Sequence, residues 1–234
     1  AWGNIENVNH DFRTDLEVGG ELQLDEVLRI CFSSRERQIW GNKTPQNTEN
    51  VAVLSKLFPE ASFLIVTRDV RDVCLSWKKK WGKDMIWCAS KWADRMARGW
   101  DATQKLSSER YLFVEFEGIL SDTEVVCRQI CQFLDIPFSD RVLEHHKHTS
   151  RTIDGKLNYG QPIKRDNRQK WRGRLPDRTV KRIEEIAFET MSIFDYEVAF
   201  ASGPRPISLG ERLYGVVSDT CALLFVGNRA SRQN

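Results

Sequence analysis

The segment from Ser62 to Trp77 constrains the fold more than any other part of the chain. Its first half, Ser62-Phe-Leu-Ile-Val-Thr, is a short apolar run rich in β-branched residues, and it predicts a buried strand that ends at Arg68. Asp69 stands where a helix N-cap belongs, and the residues after it have helical apolar spacing. A strand that turns directly into a helix indicates an α/β sheet.

This strand–helix corner carries side chains that suit a phosphate. Arg68 is expected at the carboxyl end of the strand, and Ser76 and Lys80 follow it on one face of the helix. Ligands of open α/β sheets bind outside the carboxyl ends of strands, and helix N-termini favour anions. Guanidinium, hydroxyl and ammonium groups are good phosphate donors. The alternative is an ordinary strand–helix junction with a solvated arginine.

The rest of the chain alternates predicted helices with one more strand, at Tyr111–Glu115. An aromatic stripe within 86–106 is typical of a core-facing helix. A segment containing Gly155, Gly160 and Pro162 predicts an irregular loop. Since no internal repeat or linker-like stretch is evident, we expect one α/β domain. The predicted helices cover 22–32, 48–57 (apolar face Val51, Leu54, Leu57), 69–81, 86–106, 122–134 (Val125, Val126, Ile130, Phe133 and Leu134 inward), 176–194 and 209–225.

Composition favours a folded protein with a small anionic ligand. The chain is 41% hydrophobic and 29% charged, as in ordinary globular proteins. Its 35 Lys+Arg nearly cancel its 33 Asp+Glu, which argues against nucleic-acid binding. Two local basic runs, 77–83 and 164–174, are either solvated faces or part of an anion site.

Cysteine and histidine spacing does not predict a metal site. The six cysteines are scattered, so we interpret them as reduced and mostly buried thiols, and the cluster of His145, His146 and His148 lacks partnering ligands. Leu213–Val226 is the nearest approach to a membrane-spanning run, and Asp219 interrupts it. Because no signal peptide is recognisable, a cytoplasmic location is expected.

Several short motifs occur together in one order. They are Asn42-Lys-Thr-Pro45, Leu57-Phe-Pro-Glu-Ala-Ser-Phe63, Arg68-Asp-Val-Arg-Asp-Val73 with Ser76, Val114-Glu-Phe-Glu117, Ile130-Cys-Gln-Phe-Leu134 and Lys170-Trp171. In this order they resemble the sulfotransferase superfamily, nearest to the branch of tyrosyl-protein sulfotransferases and bacterial relatives. The resemblance runs from about Asn42 to Tyr196, leaving 1–41 poorly matched and 197–234 as a carboxyl-terminal helix and tail of the same single domain, 1–234.

The resemblance implies a P-loop-like, three-layer α/β fold with a parallel sheet flanked by helices. It also implies 3′-phosphoadenosine 5′-phosphosulfate as the sulfuryl donor and in-line transfer to a hydroxyl or amine without a metal. The acceptor stays open between carbohydrate, peptide and small molecule.

Residue by residue, Arg68 and Ser76 match the family's pair that binds the donor's 3′-phosphate. Lys80 matches a third basic contact, and Lys170 a late lysine near the nucleotide, with Trp171 packing beneath it. The 158–167 segment falls where the tyrosyl-protein branch wraps a loop over the nucleotide. Phe116 matches a position that carries a hydroxyl in some relatives.

Lys43 has two interpretations. It either points at the sulfuryl or 5′-phosphate end of the donor, which would make it a possible catalytic residue, or is a structural lysine at a strand end. The family's glycine-rich 5′-phosphosulfate loop should precede it. Residues 1–43 offer only Gly3, Gly19-Gly20 and Gly41, none in a suitable context.

The departure at the amino terminus has consequences for function. We expect an incomplete sulfotransferase, a fragment with no measurable sulfuryl transfer, whose catalytic base is unassigned. The alternative is a non-catalytic nucleotide- or partner-binding protein that keeps the fold. A P-loop kinase relative is a weaker third possibility, because a kinase should show a glycine–lysine loop and magnesium carboxylates.

Overall fold

A computed structural model describes residues 41–144, 147, 152–153, 157–158 and 162–230, and only the backbone of 152–153, 157–158 and 221–230. The strands are β1 Phe63–Thr67, β2 Tyr111–Glu115, β3 Thr152–Ile153 and β4 Leu157–Asn158. The helices are α1 Val51–Leu57, α2 Val70–Trp81, α3 Met85–Thr103, α4 Phe116–Ser121, α5 Thr123–Phe133, α6 Asp177–Ile193 and α7 Leu209–Ala230. Short 3-10 turns lie at Pro45–Asn50, Ser108–Arg110 and Asp140–Val142.

The two predicted strands form a parallel pair. β1 and β2 align from Phe63 opposite Tyr111 to Thr67 opposite Glu115, with α2 and α3 in the connection between them. Parallel strands need such a crossover, and their carboxyl ends finish at the same edge of the sheet. The residues that follow β1 and β2 therefore meet at one corner, as the sequence predicts for an α/β fold.

Residues of α2, α3 and α6 form the core together with Ile65 of β1. Helix α3 packs against both α2 and α6. Trp92 and Met96 of the aromatic stripe are buried, and Trp100 packs on Phe113 of β2 and Phe194 after α6, with ring centroids 5.5 and 5.8 Å apart. The prediction that this stripe is core is confirmed.

Two predicted apolar faces need correction. Val125 is 59% exposed and does not face inward, because neighbouring helix positions point about 100° apart and Val126 takes the inward place. The predicted helix 48–57 begins as the 3-10 turn Pro45–Asn50. Its last residue, Leu57, is 37% exposed although Val51 is buried.

The segment predicted as an irregular loop contains a short ladder. β3 and β4 pair antiparallel over two residues each, so the loop is more regular than the sequence suggests. The predicted helix 22–32, the histidines at 145, 146 and 148, and Gly155 and Gly160 lie outside the described residues.

The described cysteines are buried or half-buried free thiols, as predicted. Cys74, Cys88 and Cys131 are buried, and Cys127 is half-buried. Burial raises the pKa of Cys74 and raises the pKa of Cys88 to about 12, so these thiols are not reactive near neutral pH. Within the described ranges, no cluster of His, Cys, Asp and Glu could hold a metal ion. In the same part of the chain, no helix has the length and apolar character needed to cross a membrane.

Candidate functional site

The functional corner is formed where β1 and β2 end. Arg68 follows β1 directly, and Phe116 follows β2 directly. The guanidinium carbon of Arg68 lies 4.4 Å from the centroid of the Phe116 ring, a cation–π distance. Sequence reasoning noted only that Phe116 lacks a hydroxyl and missed this role as a platform for Arg68. The signal was its position directly after the second strand.

Arg68 is held at one end of its guanidinium. Its Nη2 donates to the backbone oxygen of Asn167 at 3.1 Å and lies 3.4 Å from the Asn167 side-chain oxygen. Its Nε is buried and has no hydrogen-bond partner among the described residues. The side chain keeps 22% of its surface exposed. Arg68 is therefore a positioned cation with donor capacity left for a ligand.

The other predicted phosphate contacts follow Arg68 along α2. Arg68, Asp72, Ser76 and Lys80 are spaced four residues apart, so they lie on one side of the helix. Ser76 and Lys80 are exposed. The Lys80 ammonium lies 4.7 Å from the ring centroid of Trp81. Ser76 and Lys80 thus lie along α2, which begins two residues after Arg68, and their contact with a phosphate stays a prediction.

The N-terminus of α2 is not an open anion site, which corrects one sequence expectation. The Asp69 carboxylate caps it by accepting from the backbone N–H of Arg71 at 2.9 Å. The same carboxylate accepts from the Arg71 side chain at 2.9 and 2.8 Å and from the Trp171 indole at 3.1 Å. Because a negative charge already fills this position, a bound phosphate must rely on the side chains along α2.

A buried charge network lies beneath the corner. Arg71 donates to the Glu184 carboxylate at 2.7 Å, and its guanidinium carbon lies 4.0 Å from the centroid of the Trp171 ring. Glu184 in turn accepts from the backbone N–H groups of residues 199, 200 and 201 at 3.0, 2.8 and 2.9 Å. The network ties α2 to α6 and to the chain after it, so it fixes the helix that carries the site.

Asp72 joins the corner to the late basic segment. Its Oδ1 accepts from the backbone N–H of Trp171 at 3.0 Å, and its Oδ2 lies 3.9 Å from Nη2 of Arg68. Lys170 is half-buried beside this contact, and Trp171 is 3% exposed, which agrees with the packing role expected for that tryptophan. The segment around Asn167 and Lys170 is thus brought to Arg68. The assignment of 158–167 as a loop over the nucleotide stays a prediction, and 159–161 lie outside the described residues.

Glu117 is a structural carboxylate of this corner. It accepts from the backbone N–H of Asp69 at 3.2 Å and from the Tyr196 hydroxyl at 3.3 Å, and that hydroxyl also lies 3.2 Å from the Thr67 hydroxyl. Burial raises the pKa of Glu117. Both of its oxygens are used in holding the ends of β1 and α6 together, so it is not a free base.

None of the contacts given above for the corner involves Lys43. It is exposed and precedes the 3-10 turn Pro45–Asn50, which packs against α3. Its two interpretations stay open.

A family comparison agrees with this geometry. The model of the sulfotransferase family matches residues 15–140, more than half of the chain. The chain belongs to the sulfotransferase family. The match reaches back into the 1–41 segment, upstream of the motifs that carry the resemblance.

Relatives and a solved structure support the same family. Protein-tyrosine sulfotransferase A of Caenorhabditis elegans is 26% identical over 196 residues, which cover 78% of this chain and 48% of that protein. Protein-tyrosine sulfotransferase of Drosophila melanogaster is 25% identical over 171 residues, covering 67% and 34%. The chain thus spans half the length of these relatives or less.

The solved structure of the sulfotransferase domain from the curacin biosynthetic pathway has a similar fold. It superimposes with a TM-score of 0.57 at 17% identity, over 75% of this chain and 69% of that one. The predicted α/β fold of the sulfotransferase type is confirmed.

Proposed function

We propose that this chain is the donor-binding portion of a sulfotransferase that uses 3′-phosphoadenosine 5′-phosphosulfate, and that Arg68 anchors the donor's 3′-phosphate. The observation that carries the proposal is the corner itself. A partly exposed guanidinium stands at the carboxyl end of a parallel strand, stacked on Phe116 and fixed through Nη2. Binding at this edge of the sheet is the general rule for open α/β folds.

The residues around Arg68 fit a phosphate group. A guanidinium can grip two phosphate oxygens at once. The Arg68 side chain is 22% exposed, and the hydrogen bonds described for it involve only Nη2. The hydroxyl of Ser76 and the ammonium of Lys80 lie farther along the same side of α2, where each adds a donor. Lys170 adds positive charge from the segment that Asp72 holds against the corner.

The donor supplies a sulfuryl group that passes to an acceptor oxygen or nitrogen and leaves 3′-phosphoadenosine 5′-phosphate behind. The role of this corner is to position the donor. By holding the 3′-phosphate, it determines where the phosphosulfate end of the donor lies. The names of the C. elegans and Drosophila relatives favour a peptide tyrosine hydroxyl as acceptor over a carbohydrate or small molecule.

Calorimetric titration with 3′-phosphoadenosine 5′-phosphate tests the assignment. We expect wild-type protein to bind this nucleotide more tightly than adenosine 5′-phosphate, since only the former carries the 3′-phosphate. Arg68→Ala should remove about 1.5–3 kcal/mol of that binding, the scale of hydrogen bonds to a charged group. Binding of adenosine 5′-phosphate should change little.

Arg98→Ala is the matched control, because Arg98 is an exposed arginine paired with Asp94 on α3. It should leave both affinities unchanged. Equal wild-type affinity for the two nucleotides, or an Arg68→Ala variant that keeps the preference, would contradict the assignment.

A non-catalytic nucleotide-binding protein is the second candidate. It is favoured by one observation at the corner: both oxygens of Glu117 are engaged, so this carboxylate is not free to act as a base. Incubation with the sulfuryl donor and tyrosine-containing peptides can exclude the second candidate. Sulfated peptide above the Arg68→Ala background would do so, and it would also contradict the expectation of an inactive fragment. Tight nucleotide binding without product agrees with the second candidate and with an inactive sulfotransferase fragment alike.

A further inference from the structure

Asp72 is a buried carboxylate next to Arg68, the cation of the proposed anion site. Its side chain has 0% exposure, whereas Arg68, four residues earlier, is 22% exposed. A fully buried carboxylate is costly unless it is paired and hydrogen-bonded. Its burial near the start of α2 therefore calls for an explanation in terms of what it contacts.

The two oxygens of Asp72 face different partners. Oδ1 accepts from the backbone N–H of Trp171 at 3.0 Å. Oδ2 has no hydrogen-bond partner among the described residues, and the group it faces is Nη2 of Arg68 at 3.9 Å. One oxygen thus holds the late segment, and the other faces the arginine. Burial, the largest effect, raises the pKa of Asp72, while backbone N–H groups of Trp171 and Lys170 and the charge of Arg68 favour the carboxylate form.

The Arg68 guanidinium has three neighbours, Asp72, Asn167 and Phe116. Its Nη2 lies between Asp72 and the oxygens of Asn167, while Phe116 supports the face of the guanidinium. Asn167 and Trp171 belong to the same stretch of chain, so Asp72 fixes both the arginine and the segment that the arginine contacts.

We infer that Asp72 is a positioning residue for the anion site, acting through Arg68 rather than on the ligand. This inference rests on the proposed function. Orienting carboxylates of this kind set the direction of a charged group whose other side meets the ligand, and they limit the conformational freedom that binding would otherwise have to remove. Asp72 keeps Arg68 aimed at the position where the 3′-phosphate binds.

Asp72→Asn in the full chain tests the inference. Asparagine keeps a side-chain oxygen for the Trp171 N–H but removes the charge that faces Arg68. We expect affinity for 3′-phosphoadenosine 5′-phosphate to fall about tenfold, by analogy with the loss of carboxylates that orient metal ligands. Affinity for adenosine 5′-phosphate should stay the same.

A double-mutant cycle separates positioning from a merely structural role. In an Arg68→Ala background, Asp72→Asn should cause no additional loss of nucleotide affinity, because the residue through which it acts is gone. A purely structural role would instead give additive losses, and these would overturn the inference. An increase in affinity would also overturn it, since it would mean that the Asp72 charge only repels the nucleotide.

The outcomes distinguish this inference from the proposed function. If wild-type protein does not prefer the 3′-phosphorylated nucleotide, the proposed function fails and the inference fails with it. If wild type and Arg68→Ala behave as expected while Asp72→Asn retains full affinity, only the inference fails.

Asp72→Ser serves if Asp72→Asn does not fold. Serine also removes the charge that faces Arg68 and keeps a side-chain oxygen as an acceptor. We expect it to lower affinity for 3′-phosphoadenosine 5′-phosphate in the wild-type background and to cause no further loss in the Arg68→Ala background. Full affinity in the first background, or an additive loss in the second, would overturn the inference.

Discussion

Arg68 and Arg71 are three residues apart, and the fold gives them different tasks. Arg68 is partly exposed at the sheet edge, whereas the Arg71 side chain is 3% exposed and bonded to Asp69 and Glu184. Burial lowers the pKa of the Arg71 guanidinium, but its bonds to the two carboxylates outweigh this and raise it. Arg71 is therefore a structural charge and Arg68 a charge available to a ligand.

Replacing Arg71 by alanine should be severely destabilising. The variant leaves Asp69 and Glu184 buried without their cation, and breaking a buried pair in this way costs about 3–5 kcal/mol. Urea unfolding measures the change. Arg128→Ala, which removes an exposed pair with Glu124, is the control and should cost no more than about 1 kcal/mol. Equal small effects would mean that the buried network does not hold α2.

Local sequence could place Arg68 but not the network around Arg71. The strand before Arg68 and the cap at Asp69 are adjacent in sequence, so their pattern is visible. Glu184 lies 113 residues from Arg71, and Asn167 lies 99 residues from Arg68. Single-sequence patterns do not show pairings over such distances, so Asn167 was missed as a neighbour of Arg68 and Glu184 as a partner of Arg71.

At the scale of elements, α7 is attached by a close backbone approach. A Cβ at Gly215 would lie 2.5 Å from the Cβ of Trp87 on α3, whereas a Cβ at Gly210 in the same helix would have no atom within 4 Å. Glycine at position 215 is thus required for docking, while glycine at position 210 is not.

Replacing each of these two glycines by alanine should change the stability of the protein in opposite directions. Gly210→Ala should stabilise the protein by up to about 1 kcal/mol, since alanine is the better helix former. Gly215→Ala should destabilise it, because the methyl group collides with Trp87 and packed sites tolerate such insertion at a cost of about 1–3 kcal/mol. Thermal unfolding of both variants checks this. A stabilising Gly215→Ala would show that α7 does not rest on α3.

The contacts at the start of α7 should make the free energy of unfolding depend on pH in the acidic range. Ser208 and Glu211 cap the helix reciprocally, and Arg182 of α6 donates to both oxygens of Glu211 at 2.8 and 2.7 Å. The hydrogen bonds from Arg182 lower the pKa of Glu211 to about 2 from 4.5.

Because the folded-state pKa of Glu211 is depressed, its contribution is complete above about pH 4.5 and is lost as the pH falls toward about 2. Glu211→Gln should therefore be less stable than wild type at neutral pH, and the difference should shrink through this window. Denaturant titrations at a series of pH values measure it. A difference that stays constant with pH would contradict the ion pair.

Some elements were predictable because their signals are local. The parallel strands, the capped α2 and the aromatic stripe of α3 each rest on residues close in sequence. The side of α5 that faces the core could not be predicted from sequence. Val125 and Val126 are equally apolar, and only packing against α4 decides which of them faces inward. The β3–β4 ladder was missed since its strands have two residues each.

At the scale of the molecule, one corner links fold, family and proposed function. The order of short motifs predicted the sulfotransferase family before any tertiary contact was known, and the family match confirms it. The individual phosphate contacts at Arg68, Ser76, Lys80 and Lys170 stay predictions, as does the role of Lys43. What the tertiary structure adds is the support of Arg68 by Phe116, Asn167 and Asp72.

A crystal structure of the chain with 3′-phosphoadenosine 5′-phosphate tests this account most directly. We predict that the 3′-phosphate lies within hydrogen-bonding distance of the Arg68 guanidinium, on the side of α2 that carries Ser76 and Lys80. A nucleotide bound with its 3′-phosphate elsewhere, for example in the roughly 380 Å³ cavity lined by Thr123, Ile163 and Arg165, would contradict the central claim.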